Sequence, residues 1–138
     1  MTDMSEIRLN TETYSAEERD KIFRRCIDTY GHGAQEDMAV EEMSELIKTL
    51  MKIRRATMYE LPTRREEIIE EVADVKIMMR QLEIMYHCDD EVQEYIDFKV
   101  GRQIARLDAY ERELKETAGK NMTEEDSTRL NATAGGTR

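Results

Sequence analysis

The sequence predicts an all-α fold, and three observations support this prediction. One proline and six glycines interrupt a chain of 138 residues, so few positions break a helix. Charged residues make up 38% of the chain, and Glu, Lys, Arg, Met and Leu recur at helical spacing with few β-branched runs. The length fits one compact domain with a modest hydrophobic core.

The first two helices follow from a cap and from apolar periodicity. Residues 1–14 form a polar N-terminal segment, and Ser15 with Glu18 has the spacing of a capping box that begins a helix. This helix is expected to end near Tyr30. A second helix fits residues 34–57, where apolar side chains recur in steps of three and four. These apolar positions are Met43, Leu46, Ile47, Leu50 and Ile53.

The third helix is expected directly after Pro62, since proline favours the first helical turn. Thr63 and Glu66 have the spacing of a second capping box. The helix should end near His87, whose neighbouring aspartates hint at a metal but fit helix capping equally well. Its predicted core positions are Ile68, Val72, Val75, Met79 and Leu82.

A fourth helix is expected to begin at Asp90, with Gln93 three residues later. The helical domain then spans residues 15–117. Beyond it the chain turns polar and rich in Gly and Thr, so residues 118–138 are predicted to form a mobile tail that offers too little apolar surface to offset its ordering entropy. The predicted buried side of the fourth helix comprises Val92, Ile96, Ile104, Leu107 and Leu114.

Composition also narrows the function classes. The formal net charge of -10 argues against a nucleic-acid binder, because phosphate neutralisation requires clustered basic charge. No apolar run approaches the roughly 18 residues that cross a bilayer, and the N-terminus does not resemble a signal peptide. We therefore expect a cytoplasmic protein without membrane or nucleic-acid partners. Cys26 and Cys88 lack metal-binding spacing and are interpreted as buried thiols.

Four acidic residues lie in or beside predicted core faces. On a helical wheel of about 100° per residue, Glu71 falls inside the apolar stripe of the third helix and Asp74 at its edge. Glu42 and Glu45 occupy corresponding positions on the second helix. Burying ionised carboxylates is costly without a compensating charge, and Mg²⁺ prefers such oxygen ligands. The alternative interpretation is that these acids are ordinary solvated charges in a Glu-rich chain.

Two acidic motifs carry a resemblance to a known family. Glu41-Glu42-Met43-Ser44-Glu45, followed by Glu71-Val72-Ala73-Asp74, resembles the EExxE…ExxD signature of the MazG-like all-α nucleotide pyrophosphohydrolases. The surrounding residues 35–47 also look like the helix of that family in which a glutamine precedes the acidic motif. The resemblance covers about residues 25 to 107.

The resemblance implies a four-helix-bundle-like MazG-type core that is completed by oligomerisation, as a homodimer or a homotetramer. It implies a magnesium-dependent enzyme, with Mn²⁺ as a substitute, that cleaves nucleoside triphosphates between the α- and β-phosphates. The implied metal ligands are Glu42, Glu45, Glu71 and Asp74. Glu41 is an auxiliary acid, and any of the motif glutamates can be the group that activates water. Removal of noncanonical or excess nucleotides is the implied role.

Four further residues are candidates for substrate binding. Lys99 and Arg102 lie close together on the fourth helix and are expected to contact the triphosphate, with a solvated basic face as the alternative. Arg106 is a weaker candidate on the same face. Gln35 is expected to hydrogen-bond the base or the sugar, and the alternative is an exposed glutamine at a helix start.

Two other functions remain open at this stage. A non-catalytic helical interaction protein would use its acids for solubility and pairing specificity, although Glu71 in an apolar stripe speaks against it. A carboxylate-bridged di-iron bundle would need ExxH pairs, whereas Lys48 and Asp74 stand at the third position after Glu45 and Glu71.

Overall fold

The computed structural model describes residues 12–134, and side chains as far as residue 132. Four helices make up this part of the chain, and it contains no strand. The prediction of an all-α fold is therefore confirmed. The helices are α1 (Ala16–Tyr30), α2 (His32–Ile53), α3 (Leu61–Tyr86) and α4 (Asp89–Ala134).

The predicted boundaries of α1 are confirmed, and both have a local physical cause. The Ser15 hydroxyl accepts a hydrogen bond from the Glu18 N–H at 3.2 Å, and the Glu18 carboxylate accepts one from the Ser15 N–H at 2.7 Å. Gly31 ends the helix with a φ of 93°, a conformation that side chains rarely tolerate, and its N–H donates to the Ile27 carbonyl. Because α2 begins at His32, this single glycine makes the whole turn between the two helices.

The start of α3 differs from the prediction. The helix begins at Leu61, with Pro62 in its first turn, and Thr63 lies inside the helix without capping it. The carboxylate of Glu60 instead accepts hydrogen bonds from both the N–H and the hydroxyl of Thr57, each at 2.8 Å. This earlier pair folds the connection between α2 and α3, so the capping-box spacing at Thr63 is not used.

The turn between α3 and α4 confirms one prediction and corrects another. His87 ends α3 in the left-handed region, with a φ of 50°, so the capping interpretation of this histidine holds. The predicted cap at Asp90 is wrong, because α4 already begins at Asp89. The Asp89 carboxylate accepts a hydrogen bond from Arg80 of α3, and Arg80 also makes a bidentate contact with Asp20 of α1 at 2.7 and 2.9 Å. This guanidinium links α1, α3 and the start of α4.

The fourth helix is longer than predicted, because it continues through residue 118 to Ala134. Ala, Glu, Lys, Met and Leu in this segment are good helix formers, and Gly119 costs only about 1 kcal/mol relative to alanine. Serine and threonine hydroxyls in the segment donate to backbone carbonyls one turn earlier. These donors are Thr123, Ser127 and Thr128. The mobility of residues 118–138 stays a prediction, and residues 135–138 and 1–11 lie outside the described part.

The first three helices contact one another, and α2 with α3 forms the most extensive of these contacts. The two helices run antiparallel, since Gln35 near the start of α2 meets Gln81 near the end of α3. Among the described residues few side chains are buried, and they come from all three helices. They are Ile27, Ala39, Met78 and Met85, with the polar Gln35, Thr49 and Gln81.

Several predicted core positions are exposed instead. Ile47 is 62% exposed and Met79 is 46% exposed. A single partner helix covers a narrower part of each helix surface than the apolar face that the helical wheel predicts to be buried. On α4, Ile96, Ile104, Leu107 and Leu114 of the predicted buried side are exposed as well. Cys26 and Cys88 are half-buried free thiols, which corrects the prediction that they are buried.

The chain divides into two units between Asp89 and Asp90. The first unit holds the three packed helices, and the second holds the remainder of α4. A four-helix-bundle-like MazG-type core that is completed by oligomerisation stays a prediction. Within residues 12–134, no helix combines the length and the apolar character that a membrane span requires.

Candidate metal centre

Three carboxylates from two helices converge in the first unit. One oxygen atom from each of Glu42, Glu71 and Asp74 lies within 4.8 Å of the others. Glu71 and Asp74 are three residues apart on α3 and so project from adjacent turns of one face, while Glu42 comes from the antiparallel α2. Glu42 and Glu71 are half-buried and Asp74 is exposed. The structure thus brings together three of the five acids that the sequence singled out.

The electrostatics of this cluster are unfavourable without a cation. Burial raises the pKa of the Glu42 carboxyl, and repulsion from Asp74 and Glu71 raises it further. The pKa of Glu71 is raised for the same reasons, first by burial and then by repulsion from Asp74 and Glu45. A divalent cation would reverse the sign of these interactions.

Glu45 and Glu41 lie outside this cluster. The Glu45 carboxylate accepts a hydrogen bond from the Lys48 ammonium at 2.8 Å, and this bond lowers the pKa of Glu45. The pKa of Lys48 is raised by the same bond and then by attraction to Glu45, Glu41 and Glu71. Glu41 is exposed. The sequence interpretation treated Lys48 as a surface charge, although its spacing of three residues from Glu45 was a visible signal for the pair.

The predicted substrate residue Gln35 is buried, with 7% of its surface exposed. Its side-chain amide donates to the carbonyl oxygen of Gln81, which is 3% exposed, at a distance of 2.7 Å. The burial of Gln35 excludes the alternative interpretation, in which this residue is an exposed glutamine at a helix start. The sequence reasoning missed Gln81, although it stands seven residues after Asp74 and so on the same face of α3.

The predicted phosphate contacts Lys99 and Arg102, and the weaker candidate Arg106, are exposed on α4 in the second unit. The Arg102 guanidinium lies 5.9 Å from the centre of the Phe98 ring, within the range of a cation–π contact. Their contact with a triphosphate stays a prediction.

The chemistry of the three donors fits Mg²⁺. All three ligand atoms are hard carboxylate oxygens, which this ion prefers, and a set of only three leaves room for water and phosphate oxygens. The cluster contains no histidine, which a di-iron site with ExxH pairs would require. Comparisons with protein-family models, curated proteins and solved structures found no match. Geometry and the acidic motifs therefore carry the functional argument.

Proposed function

We propose that the protein is a Mg²⁺-dependent nucleoside triphosphate pyrophosphohydrolase that resembles the MazG-like enzymes. It cleaves ribo- or deoxyribonucleoside triphosphates between the α- and β-phosphates, giving a nucleoside monophosphate and pyrophosphate. One observation carries the proposal: Glu42, Glu71 and Asp74 place carboxylate oxygens from two facing helices within 4.8 Å of one another. Such a cluster is costly in a scaffold and useful in a site that binds metal and phosphate.

In this proposal Glu42, Glu71 and Asp74 hold Mg²⁺, or Mn²⁺ as a substitute. When bound, the ion would neutralise phosphate oxygens and make water more acidic. Glu45 is the fourth ligand in the motif, and recruiting it requires release of Lys48, to which it is paired. Exposed ion pairs of this kind are weak, so a bound Mg²⁺ ion can displace the Lys48 ammonium from the Glu45 carboxylate.

Other side chains of the chain accept the proton of the attacking water and bind the phosphates. Water attacks the α-phosphorus, one motif glutamate accepts the proton of that water, and pyrophosphate leaves. Glu41 and Glu45 are the acids beside the cluster that can take this part. Lys48, Lys99 and Arg102 are the cations proposed to bind the departing phosphates.

We also propose that the protein is a homodimer or homotetramer in the cytoplasm. Its role there would be to remove noncanonical or excess nucleotides. Exposed apolar side chains along α4 support self-association, because monomers rarely expose extended apolar patches. These side chains are Tyr95, Ile96, Phe98, Val100, Ile104, Leu107, Tyr110, Leu114, Met122 and Leu130. The same observation favours the second candidate function, a non-catalytic helical interaction protein.

The two candidates differ in one experiment. The purified protein is incubated with a panel of ribo- and deoxyribonucleoside triphosphates, in Mg²⁺ or in EDTA, and products are resolved by anion-exchange chromatography. We expect monophosphate and pyrophosphate only with metal, and loss of turnover in Glu42→Gln and Glu71→Gln with retained helical content. Glu70→Gln is the matched control, because Glu70 is exposed and adjacent to Glu71 but outside the cluster. Absence of turnover with every nucleotide would favour the interaction protein.

A further inference from the structure

Two buried amides join α2 to α3. Gln35 and Gln81 are each more than nine-tenths buried, and the amide nitrogen of Gln35 donates to the carbonyl oxygen of Gln81 at 2.7 Å. Burying amides is tolerated when their buried polar atoms are hydrogen-bonded, and among the described residues no buried side-chain nitrogen or oxygen lacks a partner. Such a pair contributes little net stability. Its main effect is therefore expected on the alignment of the two helices rather than on stability.

The amide pair and the carboxylate cluster share one helix register. Gln35 stands seven residues before Glu42 on α2, and Gln81 stands seven residues after Asp74 on α3. Seven residues are about two helical turns, or about 10.5 Å of axial rise. Since the helices are antiparallel, the alignment that joins the amides also brings Glu42 opposite Asp74.

The rest of the interface specifies this register weakly. Its buried apolar side chains include Ala39 on α2 and the methionines 78 and 85 on α3, and methionine adapts to many packings. The carboxylate cluster itself opposes the register before metal binds, because its members repel one another. A shift of one turn moves Glu42 by about 5.4 Å along α3, more than the 4.8 Å that now encloses the three oxygens.

Among the buried contacts between the two helices, the hydrogen bond between the amides is the one that most penalises such a shift. A slip of one turn places Gln35 opposite Met85 and Gln81 opposite Ala39 on the antiparallel alignment, leaving both amides buried among apolar groups without partners. We infer that Gln35 and Gln81 are positioning residues that set the register of α2 on α3 and thereby hold the carboxylates in one cluster. The consequence for metal binding rests on the proposed function, whereas the register itself does not.

The test replaces both amides with methionine, which has the same unbranched length and no hydrogen-bonding amide. Gln35→Met with Gln81→Met is compared with the parent chain, and Gln35→Leu with Gln81→Leu serves if the methionine pair does not fold. Tyr86→Phe is the matched control, because it removes another hydrogen bond between the helices, from the Tyr86 hydroxyl to Glu36 at 2.6 Å, which is exposed.

The register is measured by double electron–electron resonance. Cys26 and Cys88 are first replaced by alanine, and spin labels are attached through Lys52→Cys on α2 and Lys76→Cys on α3, both exposed positions. Mg²⁺ affinity is measured separately by isothermal titration calorimetry on the unlabelled proteins, and melting is followed by circular dichroism.

The parent chain and Tyr86→Phe are expected to give one narrow distance. The methionine pair is expected to give a broadened distribution or a second distance displaced by about 5 Å. Its Mg²⁺ affinity should fall at least about tenfold, as when other supporting residues of metal sites are removed, without a lower melting temperature.

An unchanged single distance in the methionine pair overturns the inference, whatever its Mg²⁺ affinity. An equal displacement in Tyr86→Phe also overturns it, since the buried amides would then have no special effect. If the parent chain binds no Mg²⁺, the proposed function fails, and the distance measurement still decides the register.

Discussion

Neutralising one carboxylate of the cluster should stabilise the protein in the absence of metal. Glu71→Gln keeps the size of the side chain and removes its repulsion from Glu42 and Asp74, which lie within 4.8 Å. Two unit charges at that distance repel by about 0.9 kcal/mol in water and about 3.5 kcal/mol at an effective dielectric constant of 20. Because these side chains are partly exposed, we take about 1 kcal/mol per pair, or about 2 kcal/mol in total.

The pH dependence of this gain follows from the raised pKa of Glu71, whose ordinary value is 4.5. A carboxyl group with a higher pKa in the folded state lowers stability once it ionises, so the cost is present above the folded-state pKa. The cost disappears below the unfolded-state value, where the group is protonated in both states. The advantage of the glutamine variant should therefore be full at neutral pH and vanish in acid.

The assay is thermal unfolding by circular dichroism in EDTA and in Mg²⁺. At neutral pH in EDTA, Glu71→Gln should melt roughly 4 to 8 °C above the parent chain. Glu70→Gln should raise the melting temperature less, because Glu70 is exposed and repels Glu71 more weakly than Asp74 does. In Mg²⁺ the parent chain should gain stability by ligand linkage, and Glu71→Gln should lose most of that gain. A glutamine variant that melts at or below the parent chain in EDTA would refute the electrostatic reasoning.

Three further predictions concern the fold. The hydrogen bond with Arg80 lowers the pKa of Asp20 below 3.8, so the stability that Asp20 contributes is present above pH 3.8 and is lost as pH falls through its folded-state pKa. Asp20→Asn should therefore cost about 1 to 2 kcal/mol of unfolding free energy at neutral pH, measured by urea unfolding. An equal cost in strong acid would contradict an origin in the ionised carboxylate. Gly31→Ala should cost about 1 to 2 kcal/mol, since Gly31 has a φ of 93°, and an unchanged melting temperature would contradict the strain. Deletion of residues 118–138 removes the end of α4, whose side chains are exposed from residue 118 to residue 132. It should reduce the far-ultraviolet helical signal without altering the Mg²⁺-induced rise in melting temperature. Loss of that rise would show that the segment supports the metal centre.

The sequence predicted the ends of a helix where a particular residue type satisfies a particular need of the backbone. Ser15 with Glu18 satisfies the free N–H groups at the start of α1, and Gly31 supplies a positive φ at its end. The same capping spacing forms no cap at Thr63, because α3 already begins at Leu61 and Thr63 lies inside the helix. In a Glu-rich sequence the spacing is common, and contacts outside the motif decide which copy forms a cap.

The candidate site was predictable to the extent that it depends on helix periodicity. The wheel placed Glu42, Glu71 and Asp74 on facing sides of α2 and α3, and their oxygens do converge. The spacing of Glu45 and Lys48 allowed an ion pair, but whether the pair forms depends on side-chain rotamers that the wheel does not give. Nor could it find Gln81, whose role depends on which α2 residue lies opposite.

Hydrolysis in ¹⁸O-labelled water identifies the bond that is broken and so tests the proposed function most directly. The protein is incubated with Mg²⁺ and each nucleoside triphosphate in turn, and the products are examined by ³¹P nuclear magnetic resonance for the isotope shift. We predict ¹⁸O in the phosphate of the nucleoside monophosphate and none in pyrophosphate, because water attacks the α-phosphorus. Label in pyrophosphate, release of orthophosphate as the first product, or no hydrolysis of any nucleotide would contradict the proposed function.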